Sequence, residues 1–318
     1  MIMAKSAGTN GIDIQRNYIC VAQYSARDVA IRHVAVRPLP VSADIVSGSG
    51  TGAFWSAVAA ELRGIRRKVP FSRRNIVCSL PCDMAVARAL EAESDESDQR
   101  SALCWELGAG LPGPVDEYAY DFYEVDPGNQ VERRRYIAAA VRSESLARLK
   151  KAMKEVGLKP RIIDLDLFAL TVVFQSNYRE RLGEASILVH GELRRTKLIL
   201  VYNSSYVAHS IVDFDTEGVE VEQYAVMLRD EAARLMAIGA EQNGIANDGD
   251  GAKVYLAGSL FSDTDFAAAL MAALPGSEML DPFRKVACAA PMEDEDKARY
   301  SPQLAVAVGL ALRGDEAI

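Results

Sequence analysis

Few residues of this 318-residue chain have the type and spacing that chemistry needs. Cys78 and Cys82 stand close enough to share an ion, but no second pair accompanies them, and His33, His190 and His209 all lie elsewhere. Tetrahedral zinc takes four such ligands, so no metal centre is expected. The five cysteines (Cys20, Cys78, Cys82, Cys104 and Cys288) are odd in number and mostly sit in apolar runs. That suits buried free thiols in a reducing compartment better than a disulfide framework. Asp13 reads as a polar residue closing a short strand, and His190 as a satisfied histidine at a strand end. Asp164 and Asp166 precede an apolar helix, where carboxylates cap free N–H groups.

Two basic clusters remain. Arg63, Arg66, Arg67, Lys68, Arg73 and Arg74 crowd a helix end and the loop after it. They read as a solvated face at a helix C-terminus, or as a patch for anionic headgroups or an acidic partner. Arg133, Arg134 and Arg135 read as an exposed hairpin turn. Trp105 reads as core, with a partner anchor as the alternative.

The elements that must position these residues follow from periodicity. Gly11 to Gln15 and Tyr18 to Tyr24 form a hairpin, Val29 to Val36 a third strand, and Phe54, Val58, Leu62 and Ile65 a helix ended by Pro70. Asn75 to Leu80 is a strand closed by Pro81. A compact α/β unit follows: strand Met84 to Leu90, acidic loop Glu91 to Gln99, helix Ala102 to Leu107, strands Tyr118 to Val125 and Tyr136 to Val141, and a helix from Leu146 to Val156. Arg161 to Leu165 resumes the first sheet, with a helix over Asp166 to Phe174. The opening theme then repeats: strands Ser186 to Val189, Arg195 to Tyr202 and Tyr206 to Val212, a long helix, and strand Lys253 to Ala257. Ser301-Pro302 caps a last helix, with proline at its permissive first position. The order is that of a duplicated α/β fold with an inserted subdomain. Its boundaries fall at 1–81 with 157–180 and 300–318, at 82–156, and at 181–299.

Hydrophobic residues make up 49% and charged residues 25%, a normal globular balance. A formal net charge of −8 argues against nucleic acid as partner. The amino terminus lacks a signal-peptide core, and no run approaches about 18 apolar residues. A cytoplasmic location is expected.

Gly11-Ile12-Asp13-Ile14, Cys78-Ser79-Leu80-Pro81, Val86-Ala87-Arg88, Trp105-Glu106-Leu107 and Glu117-Tyr118-Ala119-Tyr120-Asp121 resemble, in order and spacing, the PilM family of type IV pilus assembly proteins. Asp281-Pro282-Phe283 and the run Ala305 to Arg313 are similar to its C-terminal signatures. The resemblance implies actin/Hsp70-like (ribonuclease H-like) domains with the insertion placed as in FtsA. In active members two glycine-rich hairpins grip phosphates and magnesium, and a Gly-Gly turn holds adenosine. Asp13 matches the first hairpin's metal-binding acid, but Gln15 stands where glycine is expected. His190-Gly191-Glu192 replaces Asp-x-Gly, and Gly258-Ser259 keeps half of the adenosine turn. The resemblance also puts Asp164 and Asp166 where kinases of this superfold carry a catalytic acid.

What the resemblance implies is therefore a degenerate nucleotide site (Asp13, Gln15, Gly258, Ser259), no resident cofactor and no hydrolysis, with ATP and magnesium the alternative. It implies a scaffold at the inner face of the inner membrane. The scaffold would bind the short N-terminal cytoplasmic tail of a bitopic PilN-like protein in a groove beside the insertion. The other readings are a working ATPase and the cytoplasmic domain of a GspL-like type II secretion protein. The latter continues into a membrane helix that this chain lacks before Ile318, which favours a complete PilM-like protein.

Overall fold

The computed structural model describes residues 8–39, 52–69, 75–93, 99–125, 133–203, 205–245 and 252–316. Arg73, Arg74 and most of the acidic loop lie outside them. A first sheet is built from β1 (Thr9–Ile14), β2 (Tyr18–Ser25), β3 (Ala30–Pro38), β4 (Ile76–Leu80), β8 (Ile162–Leu165) and β14 (Ala287–Cys288), in the order β14-β3-β2-β1-β4-β8. β1, β2 and β3 are antiparallel neighbours, while β4 and β8 add in parallel. The second sheet repeats this with β9 (Ser186–Glu192), β10 (Arg195–Tyr202), β11 (Ser205–Asp213), β12 (Lys253–Ala257) and β13 (Glu278–Met279), in the order β11-β10-β9-β12-β13. Here too the hairpin strands are antiparallel and the later two parallel.

The inserted sheet, β5-β7-β6, is wholly antiparallel and comprises β5 (Ala85–Glu93), β6 (Tyr118–Val125) and β7 (Arg133–Arg142). Helix α2 (Gln99–Gly108) covers one face through Leu103 and Leu107. Arg134 and Arg135 are not turn residues: they extend β7, opposite Ala92 and Glu91 of β5. Trp105 is 80% exposed, so it is not core. The apolar stripe of α2 that faces the sheet consists of the two leucines, and Trp105 lies off it.

Helices α1 (Gly52–Arg66) and α3 (Ser143–Glu155) pack on each other, and α4 (Asp166–Asn177), buried along most of its length, packs on α7 (Asp294–Glu316). α5 (Val221–Asn243) and α6 (Thr264–Ala273) cover the second sheet. α7 lies so close to β1 that a Cβ on Gly11 would come 2.0 Å from the Ala307 carbonyl oxygen. The glycine is thus explained by helix packing, whatever ligand the strand faces.

Two expectations need correction. The last helix begins at Asp294, with Pro302 in its interior. An acidic first turn, Asp294-Glu295-Asp296, suits the positive helix start. The ring at Pro302 removes one intrahelical bond, and the Pro302 carbonyl also accepts from Gly258 N at 2.9 Å. Second, β14 pairs with β3 and α7 packs on β1 and β2. The chain therefore returns to the first sheet before residue 300. Two-residue strands carry no periodicity by which a sequence could announce them.

Candidate functional site

The two hairpins face each other where the first and second sheets meet. β1 delivers Asp13 and, at its end, Gln15; β9 delivers His190 and Glu192; β10 delivers Lys197; the first residue of α4 is Asp166. All six are buried. Lys197 Nζ lies 2.6 Å from Asp166 Oδ2, 2.9 Å from Glu192 Oε1 and 3.0 Å from Gln15 Oε1. An ammonium from the second sheet is thus held by Glu192 of its own sheet and by Gln15 and Asp166 from the first half of the molecule. Gln15 Nε2 donates to Asp13 Oδ1 at 2.7 Å and to Asp166 Oδ2 at 3.3 Å, and Ser79 Oγ donates to Asp13 Oδ1 at 2.9 Å. Asp166 Oδ1 accepts from the backbone N–H of Cys82 (2.9 Å) and of Leu167 (2.8 Å). Asp166 therefore does more than cap a helix, since it joins both sheets and the start of the insertion. Asp164 pairs with Arg313 of α7 at 2.7 Å.

A second layer lies beside the first. Arg16, in the turn after β1, and Arg195, at the start of β10, both contact Asp83 Oδ2, and Arg195 also reaches Asp213 at 2.5 Å. Asp83 sits in the short 3-10 turn Cys82–Met84 that leads into the insertion. The turns of the two hairpins thus both close on one carboxylate of the chain itself.

The electrostatics follow from burial. Burial raises the Asp13 carboxyl to about 7, helped by Asp166 and opposed by Ser79, Gln15 and Lys197. Its Oδ2 has no hydrogen-bond partner. Burial, then Lys197, pushes His190 down to about 4, so its ring is neutral, with Nε2 3.3 Å from the Tyr18 hydroxyl. Burial opposes the Lys197 charge, yet Asp166 and Glu192 hold its pKa well above the ordinary lysine value. Burial likewise opposes ionised Asp166, and Lys197 prevails, holding it low.

Gly258, with φ of 107°, presses on the second hairpin: a Cβ there would meet the Gly191 carbonyl oxygen at 2.4 Å. Gly258 thus packs on the second hairpin, whereas Ser259 lines a cavity of about 630 Å³ with Asn17 and Tyr18 of the first hairpin and Tyr300. This arrangement does not fit a magnesium-bound triphosphate. Its negative charge would meet Glu192 and Asp166, and it would have to displace the Lys197 ammonium. Among the described residues no group of three or more His, Cys, Asp or Glu side chains is arranged to hold a metal ion.

On its other side the first sheet borders an open groove of about 710 Å³. The outer strands β8 and β6 are both sheet edges, and both line it, β6 with Asp121 and Tyr123, β8 with Ile162 and Ile163. Phe168 of α4 contributes apolar surface, and Lys150, Arg161 and Arg313 contribute charge. Tyr123 is 63% exposed.

Residues 11–187, more than half of the chain, match the sequence profile of type IV pilus assembly protein PilM. The chain belongs to that family. A search of curated proteins finds no match. Among solved structures, a PilM-PilN type IV pilus biogenesis complex matches with a TM-score of 0.75 and 20% identity, over 96% of this chain and 98% of that one. The cytoplasmic domain of EpsL, an inner-membrane component of the type II secretion system of Vibrio cholerae, matches with a TM-score of 0.50 and 11% identity, over 98% and 96%. A Bacteroides thetaiotaomicron protein described as having an actin-like ATPase fold shares 8% identity over 86% and 91%, with a TM-score of 0.49. The fold is thus the one seen in the PilM-PilN complex, here two similar domains with an insertion.

Within this PilM-family chain, sequence reasoning placed Asp13 and Gln15 together and missed Lys197 and Asp83. Lys197 had a signal: it is a lone charge inside the buried strand run Thr196 to Val201, and a buried charge demands a partner. Among the described residues no helix is long and apolar enough to cross a membrane.

Proposed function

We propose that this chain is a non-enzymatic scaffold of a type IV pilus assembly machine, working at the cytoplasmic face of the inner membrane. Its partner is the short N-terminal cytoplasmic tail of a bitopic PilN-like protein, held in extended form in the groove between β6 and β8. The observation that carries this reading is the contrast at the first sheet: the nucleotide cleft is filled by the chain's own charges, while the groove is open and flanked by two unpaired strand edges. Edge strands offer unsatisfied N–H and C=O groups to an added strand, and the pockets beside them select side chains. The profile match to the PilM family and the PilM-PilN complex of the same fold support the choice of partner.

Calorimetric titration with synthetic tails of the bitopic proteins of the same assembly tests it. One tail should bind, and Tyr123→Ala should weaken it at least about tenfold, as loss of an aromatic anchor does, while circular dichroism stays unchanged. Binding that survives both Tyr123→Ala and a charge reversal at Asp121 would remove the groove from consideration. Titration with ATP and magnesium should give no heat; micromolar binding would restore the ATPase reading. The EpsL likeness leaves a secretion machine as the alternative setting for the same scaffold.

A further inference from the structure

Segments 63–68 and 150–161 carry nine cations against one carboxylate, Glu155, in a chain of formal net charge −8. They are far apart in sequence and adjacent in the fold. α1 packs on α3, and Arg66 Nη1 would lie 3.3 Å from a Cβ placed on Gly157, just past the end of α3. The C-terminal ends of two helices therefore converge with their cations pooled. Arg63, Arg67, Lys68, Lys151 and Lys154 are exposed. Among the described residues none of these five forms an ion pair with a carboxylate. Other exposed or half-exposed arginines do: Arg32 has Asp28, Arg148 has Glu144, and Arg234 has Glu231.

Helix ends attract cations, but that effect fades within the last turn. It accounts for Arg63, Arg66 and Lys154. It does not account for Arg67, Lys68 and Lys159, which follow the helices, or for Lys150. The patch also continues into the groove, whose wall includes Lys150 and Arg161.

We propose that this face docks directly on an anionic bilayer surface. Among the described residues the exposed large apolar side chains, such as Val29, Trp105 and Tyr123, all lie outside the two segments. Within those segments no described side chain supplies the aromatic anchor on which a protein interface centres. Long, unpaired lysines suit a diffuse layer of headgroup phosphates, where each cation near the surface adds about fivefold in affinity. The inference rests on the proposed function only in that it turns the mouth of the groove toward the membrane that bears the tail.

Co-sedimentation of the full chain, without any partner peptide, with phosphatidylcholine vesicles with and without phosphatidylglycerol tests it. Binding should require phosphatidylglycerol and weaken steeply with salt. Changing Arg67, Lys151 and Lys154 together to Gln should lower it about a hundredfold with the melting temperature unchanged, while Arg299→Gln changes nothing. Absence of binding to the anionic vesicles overturns the proposal, as does binding that the triple variant retains. So does a patch that captures an acidic peptide or duplex DNA while ignoring vesicles. Peptide binding in the groove is read separately in solution, so failure of one reading leaves the other standing.

Discussion

The cleft and the groove both border the first sheet, and they handle charge in opposite ways. In the cleft, Lys197, Asp166, Glu192 and Gln15 satisfy one another out of water, and Arg16 and Arg195 share Asp83. In the groove, strand edges and aromatic surface are left open, and charges stand at the rim. A buried network whose charges are paired within the chain fixes the arrangement of the domains around it. An open edge leaves its hydrogen bonds unspent. The difference teaches that two faces of one sheet can treat charge oppositely, one closing on the chain's own side chains and the other left open.

The sharpest way to break this contrast is at Lys197. Lys197→Met leaves Asp166 and Glu192 buried without their cation, and chemical denaturation should show a loss of about 3–5 kcal/mol. Adding Asp166→Asn and Glu192→Gln should restore much of it. A single variant as stable as the parent would mean that the cluster is wetter than its burial indicates.

Next in size is Asp83→Ala, which frees two arginines from a nearly buried carboxylate. A loss of about 2 kcal/mol is expected for charged hydrogen bonds of this kind. Hydrogen exchange should quicken at residues 14–18 and 190–196 together, since one side chain holds both hairpins. Faster exchange in one hairpin alone would show that the layer does not span the cleft.

A smaller effect separates the two perturbed titrations. Asp13 is raised to about 7, so its contribution to stability is present below its unfolded value near 4 and is lost as pH rises through 7. His190 is lowered to about 4, so its contribution is present above about 6.5 and is lost as pH falls through 4. Between 4 and 6.5 the two slopes oppose each other. Relative to the parent, Asp13→Asn should gain stability as pH rises through that window. His190→Gln should lose it over the same range. Each difference should reach at most about 1.4 kcal/mol per pH unit. Denaturation midpoints against pH read this directly, and parallel curves for all three proteins would refute the assignment.

The smallest effect on folding is expected at the groove. Tyr123→Ala should leave the melting temperature where it was, because the ring is 63% exposed, and yet abolish most of the tail binding. A variant that instead lowers the melting temperature would make Tyr123 a structural residue and move the groove toward the filled cleft in character.

Much of this was legible in the residues. Hairpin, third strand, helix and parallel strand, given twice, emerged from alternation and apolar runs, because each strand of the two sheets buries its own periodic set. The inserted strands followed from Tyr118, Tyr120 and Phe122 alternating with polar neighbours. Gln15 is the residue of the buried cluster that the sequence had already singled out beside Asp13. Helix α7 was read too short because Pro302 looked like a boundary, and only packing on β1 and α4 holds a helix together through it. Trp105 was misread because an isolated large apolar residue has no face until its helix is docked.

By itself, then, the sequence determined the doubled strand order and the site of the insertion, since these depend on near neighbours along the chain. Only the tertiary structure decided that Lys197 is gripped by Asp166, that Arg16 and Arg195 meet on Asp83, and that α1 and α3 pool their cations. Each joins residues from distant parts of the chain. Electrostatic energy depends on distance in space and on burial, neither of which one-dimensional spacing contains.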